Sequence, residues 1–167
     1  SVLFACLLMF IYIFIRFRGW QYGLGAVVAL FHDALMIMAA FTLLKGLLPF
    51  SLEVNQDFIA AILTVMSYSM NDTVVVFDRI REYLTDRKKR NLDKTEDKKE
   101  VINYALNATL SRTINTSLSI FFVMLAIFLF GGTTIKGFAF ALLIGIIVGT
   151  YSSVCIATPI VIDFDRK

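Results

Sequence analysis

The sequence predicts an all-α membrane protein, one domain (residues 1–167) of five transmembrane helices with an amphipathic cytoplasmic helix. Three observations lead there. Hydrophobic residues make up 58% of the 167 positions, with sixteen Phe among them, and charged residues only 17%. The apolar residues run on for about the 20 positions a helix needs to cross a bilayer, where a water-soluble core would break into shorter runs. The charges gather between those runs.

Taken in order, the first span covers Val2 to Phe17 and ends at Gly19. The second covers Tyr22 to Leu44 and is closed by the turn-forming stretch Gly46 to Pro49. The third covers Phe58 to Phe77; its helical pattern continues through "RIREYLTDRKKR" and breaks near Asn91. A helix restarts at Thr95, whose hydroxyl can cap a first turn carrying Glu96 and Asp97. Val101, Ala105 and Ala108, flanked by Ile102 and Leu106, then form an apolar stripe at helical spacing. Two readings fit this cytoplasmic segment (78–112): a short helix lying on the membrane surface, or a solvated linker near anionic headgroups. The fourth span covers Thr113 to Phe130, Gly131-Gly132 marks a tight hairpin, and the fifth covers Gly137 to Ile162. Small residues recur there at every fourth position, from Gly137 through Ala141, Gly145, Gly149 and Ser153 to Ala157, a row that lets helix backbones approach closely.

Basic loops resist translocation, so the lysines and arginines give the orientation. Arg16, Arg18, the ten basic residues from Arg79 to Arg112, and Arg166 with Lys167 fall on one side; Lys45 and Lys136 fall on the other. The amino end is therefore expected outside and the carboxyl end in the cytoplasm. The net charge of +3 is a topological signal and implies no nucleic-acid partner.

Several chemistries find no support. Cys6 and Cys155 lie in apolar runs without a CxxC pair and read as buried small hydrophobes. One histidine, His32, leaves too few soft ligands for a zinc or iron site, and no GxxxxGK loop is present. We expect no cofactor, no metal and no enzymatic reaction. The chain opens at Ser1 inside an apolar run, and we expect it to be a fragment.

Asp72, in "SYSMNDTVVVFDRIRE", carries the functional argument. It lies fourteen residues after Phe58, roughly 21 Å along the helix and about 10 Å short of Arg79, within the hydrocarbon. A carboxylate there costs about 2.5 to 3.5 kcal/mol on insertion scales, so it should face other helices or water. Burial disfavours a charged carboxyl and a nearby cation favours it, so one moving cation could load and unload a proton. Arg112, at the cytoplasmic start of the antiparallel fourth span, is the candidate cation. Thr113, Asn115, Thr116, Ser117 and Ser119 on the fourth helix and Ser67, Ser69, Asn71 and Thr73 on the third make two polar stripes able to hold a file of water. Alternatives stand beside each reading: a permanent ion pair or helix lock for Asp72, snorkelling to the headgroups for Arg112, and bonding to their own helix carbonyls for the hydroxyls. His32 and Asp33, in "LFHDALM", form a second polar spot at membrane depth. They fit either a proton relay or a pair locking two helices.

The strings "LFHDALM", "SYSMNDTVVVFDRIRE", "SRTINTSLS" and "FGGTTIKGFAFALLIGIIVGTYSS" resemble, in order and spacing, the SecF subunits of the bacterial SecD/SecF protein-export complex, relatives of the resistance-nodulation-division transporters. The resemblance covers essentially the whole chain, and "NDTVVVFDRIRE" is its most specific part. It implies a resistance-nodulation-division-like bundle, multi-pass in the plasma (inner) membrane. With SecD, such a subunit uses the proton-motive force to draw unfolded preproteins outward after the SecYEG channel and the SecA motor have moved them. It implies that Asp72, in the NDT motif, and Arg112, in the SRT motif, take part in ion coupling; the polar stripes, read from the residues themselves, add Asn71, Thr73, Thr113, Asn115 and Thr116 as expected supporting groups. Ser67 stands where the family commonly has glycine and Ser119 where it has threonine. Family members carry a further helix and an extracytoplasmic domain before the point where this sequence starts, so we expect both to be missing from it. The rival readings are a structural scaffold subunit and a small-molecule efflux transporter of the same superfamily. Sodium is the rival ion, since Asn71, Asp72 and nearby hydroxyls offer some of the oxygens it would need.

Overall fold

A computed structural model gives the structure of residues 2–50, 52–89 and 98–164, which form helices and turns with no strand among the described residues. Helix α1 (Val2–Phe17) turns at Arg18 and Gly19 into α2 (Trp20–Leu44). Arg18 takes φ 52°, a left-handed conformation at the corner, while its N–H still donates to the Phe14 carbonyl at 3.0 Å. Helix α3 (Gln56–Lys89) is capped by Asn55, whose Oδ1 accepts the Phe58 N–H at 3.0 Å, and Asp57 in its first turn suits the positive end of the dipole. With 34 residues it is about 51 Å long. That exceeds the roughly 30 Å of bilayer hydrocarbon, so its last third carries Asp78, Arg79 and Arg81 beyond it.

Helix α4 (Lys98–Phe130) begins well before the fourth apolar run. The stripe at 101–108 is helical and continues into the span without a break. Ile102 and Ala105 are buried, Val101 and Leu106 half-buried, and the Tyr104 ring meets Tyr83 of α3 edge-on at 5.4 Å. This stretch thus shares a helix with the span and packs its apolar side inside the protein, so neither a separate surface helix nor a solvated linker describes it. The break near Asn91, the cap at Thr95, and Arg166 with Lys167 lie outside the described residues.

Gly131 and Gly132 reverse the chain into α5 (Thr133–Ser152). A Cβ on Gly131 would collide with the Ile127 carbonyl oxygen, so no larger residue fits this corner. After α5 comes a π-turn (Ser153–Ala157) and then α6 (Thr158–Phe164). Pro159 gives the reason: it has no N–H and its ring would strike the carbonyl four residues back. The wider turn makes room, and the Thr158 hydroxyl donates to the Ser153 carbonyl at 3.1 Å.

Among the described residues, four helical stretches are long and apolar enough to cross a membrane: Trp20–Leu44, Gln56–Asp86, Glu100–Phe130 and Thr133–Phe164. Helix α1 is a shorter apolar helix of 16 residues. The protein is an all-α membrane protein. Helices α3 and α5 pack on each other at its centre, each also touching α2 and α4, while α1 lies mainly against α2. The small-residue row makes the central contact possible. A Cβ on Gly145 would run into the Val65 side chain, and one on Gly149 would stand 3.0 Å from the Ser69 Cβ. At the charged end, Phe17 stacks on Tyr22, Phe77 meets both rings edge-on, and Arg16 pairs with Asp78 at 3.0 Å.

Candidate ion-coupling site

The buried face of α3 runs through Ala61, Val65, Ser69, Thr73 and Val76, at helical spacing. Asp72 sits beside that face and is 6% exposed. Its Oδ2 is buried and makes no hydrogen bond. An unsatisfied buried carboxyl oxygen is costly. The hydroxyl of Tyr68, one turn back on the same helix, lies close enough to interact with the carboxyl. Arg112 projects from the exposed side of α4, and no ion pair joins it to Asp72. Its guanidinium is within electrostatic reach of the carboxyl.

A chain of hydroxyls ties the site's three helices together. Tyr68 Oη donates to Ser117 Oγ at 2.8 Å, and Ser117 Oγ lies 2.7 Å from Thr150 Oγ1. Ser117 has one proton to give, and it has two candidate acceptors, Thr150 and the Thr113 carbonyl at 2.8 Å; Thr150 likewise faces the Ile146 carbonyl at 2.7 Å. Swinging these hydroxyls between acceptors changes the polarity of the whole chain without moving a backbone.

The polar stripes divide by face. Thr73 and Thr113 are buried, and the Thr73 hydroxyl donates to the Ser69 carbonyl at 3.0 Å. Asn71, Asn115 and Thr116 point away from the bundle, as does Arg112. Most of the hydroxyls bond to their own helix: Ser67 to Leu63, Thr116 to Arg112 and Ser119 to Asn115. The structure thus brings Asp72 and Thr73 to one buried side of α3, and leaves Asn71, Asn115, Thr116 and Arg112 on outward faces.

Asp33 is fully buried. Its Oδ2 accepts the Ser69 hydroxyl at 2.6 Å, and its Oδ1 lies 3.4 Å from His32 Nδ1. The His32 ring meets Tyr151 edge-on at 5.7 Å. Tyr68 and Thr150 escaped the sequence reading. Tyr68 stands four residues before Asp72, a spacing that puts two side chains on one helix face, and Thr150 follows directly on a glycine of the small-residue row.

A family model described as "Protein export membrane protein SecD/SecF, C-terminal" matches residues 1–167. The chain belongs to the SecD/SecF protein-export family. Among its SecD/SecF relatives, the protein translocase subunit SecF of Rhodothermus marinus is 55% identical over 167 residues, which is 100% of this chain and 52% of the relative. The SecF of Koribacter versatilis is 43% identical over 158 residues, 95% of this chain and 36% of its own length. The chain thus spans about half, or less, of the relatives it matches. Two crystal structures of SecDF share its fold at 37% identity. One, in a super-membrane-facing form, has a TM-score of 0.80 and is matched over 96% of this chain and 20% of its own; the other, a translocon-associated protein from Thermus, has a TM-score of 0.78, over 95% and 20%.

Proposed function

We propose that this chain is the transmembrane part of a SecF-type subunit that works with SecD to couple the proton-motive force to protein export. The single observation carrying the proposal is the buried Oδ2 of Asp72, which makes no hydrogen bond. A carboxyl placed so, at membrane depth, gains and loses a proton as its neighbours rearrange, and each change biases how the surrounding helices pack. In this proposal the cargo is an unfolded preprotein delivered by SecYEG and SecA, and the chain carries out no enzymatic reaction. The location is the bacterial plasma (inner) membrane among its lipids, with all five helices crossing, the amino end outside and the carboxyl end in the cytoplasm. Helix α1, about 24 Å long, would cross by locally thinning the bilayer. The names and titles of the SecF and SecDF relatives, together with the skew of basic residues, support this assignment.

The test is Asp72→Asn in the full-length complex reconstituted with SecD. Export stimulation by a proton gradient should disappear while the complex still assembles. Export that stays fully gradient-dependent refutes the coupling role, and loss of assembly with transport per complex intact favours a scaffold instead. Replacing the proton gradient by a sodium gradient in the same vesicles separates the two candidate ions.

A further inference from the structure

Every serine and threonine hydroxyl on α3 with a described bond, save one, donates to its own helix: Thr64 to Ala60, Ser67 to Leu63, Thr73 to Ser69. The exception is Ser69, which reaches across to Asp33 on α2 at 2.6 Å. Both residues are fully buried, and Asp33 lies thirty-six positions away in the chain. Ser69 is also met by Gly149 of α5, where a Cβ would stand 3.0 Å from the Ser69 Cβ. One residue of α3 is therefore held by a directional bond to α2 and by backbone-close packing against α5. Asp72 is three residues further on, about 60° around the helix and one turn along it.

We infer that Asp33 is a positioning residue: by accepting the Ser69 hydroxyl it fixes the rotation of α3, and with it the side on which Asp72 faces the hydroxyl chain of α4 and α5. The inference rests on the coupling role proposed for Asp72. What Asp33 supplies is an acceptor oxygen aimed at Ser69, and an amide supplies the same atom. A leucine of similar size does not.

The test uses full-length complex reconstituted with its SecD partner, with Cys6→Ala and Cys155→Ser, and reads two quantities. The first is gradient-stimulated export. The second is the rate at which a membrane-permeant maleimide labels Thr73→Cys, a position 2% exposed and hidden while α3 keeps its rotation. Asp33→Asn should keep export within about twofold and labelling slow. Asp33→Leu and Ser69→Ala should each lower export about tenfold and raise labelling about fivefold, the size of effect expected for losing a bond to a buried carboxyl group. Ser69→Ala removes one atom and carries the test if Asp33→Leu fails to assemble. Asp33→Asn as inactive as Asp33→Leu, or unchanged labelling in Ser69→Ala, overturns the inference. If Asp72→Asn stays gradient-coupled the coupling role itself fails, and the labelling rates still decide whether Asp33 holds α3.

Discussion

Tyr68 of α3 donates its hydroxyl to Ser117 of α4 at 2.8 Å, one helical turn from the buried carboxyl of Asp72. This bond links the acid-bearing helix to the hydroxyls of two others. Tyr68→Phe keeps the ring and removes only the donor, so the complex should assemble with normal yield. Gradient-driven export in proteoliposomes should fall by about three- to tenfold, the effect of one or two kcal/mol from a lost buried hydrogen bond. Undiminished export in Tyr68→Phe would exclude the hydroxyl chain from the coupling path.

Arg112 closes no ion pair with Asp72, so in the proposed coupling its charge should matter more than the fork geometry of a guanidinium. Lysine carries the same charge on a flexible stem. Arg112→Lys should therefore retain a substantial fraction of gradient-dependent export, and Arg112→Met should lose it. Normal export in Arg112→Met removes the arginine from the mechanism whatever happens at Asp72.

Gly145 faces Val65 with no room for a methyl group, whereas nothing stands within 4 Å of a Cβ placed on Gly132. Gly145→Val should destabilise the bundle by about 1–3 kcal/mol through overpacking. Thermal unfolding in detergent should show a clear drop in Tm for it and little change for Gly132→Ala. Equal melting of the two variants would mean that α3 and α5 do not meet at that glycine.

Asn55 caps α3 through the Phe58 N–H. Asn55→Ala should cost about 1 kcal/mol and Asn55→Asp should cost little, since aspartate keeps the acceptor and suits the helix dipole. The same unfolding measurement separates them. A destabilised Asn55→Asp would point to a different role for that side chain.

Hydropathy alone locates the apolar helices, because a helix packed among other helices or lipid must be apolar for its whole length. Val2–Phe17 has the same bounds in sequence and structure, and α2 starts two residues before the expected Tyr22. Composition hid the continuity of α4: Lys98 to Arg112 reads as a helix of its own, too polar to signal a span, yet with buried Ile102 and Ala105 it runs unbroken into the fourth span. What the sequence could not give is which helix faces which. Asp33 was visible as a buried acid, but its Ser69 partner depends on the placement of α2 against α3. Thr150 likewise gains its meaning only from Ser117 across the α4–α5 contact. Local spacing reports which residues share a face, and cross-helix bonds are properties of the assembled bundle.

The π-turn at Ser153–Ala157 has an arithmetical consequence. One residue more than an ordinary turn is stored there, so the seven positions of α6 are offset by about 100° from where an uninterrupted helix would put them. Val161, which that offset turns inward until it is 2% exposed, sits where a Cβ on Gly25 would stand 3.3 Å from it. Removing a single residue from the bulge would swing Val161 toward the lipid and bring a neighbour to the α2 seam instead. Helix α6 is thereby sensitive to length as well as to identity.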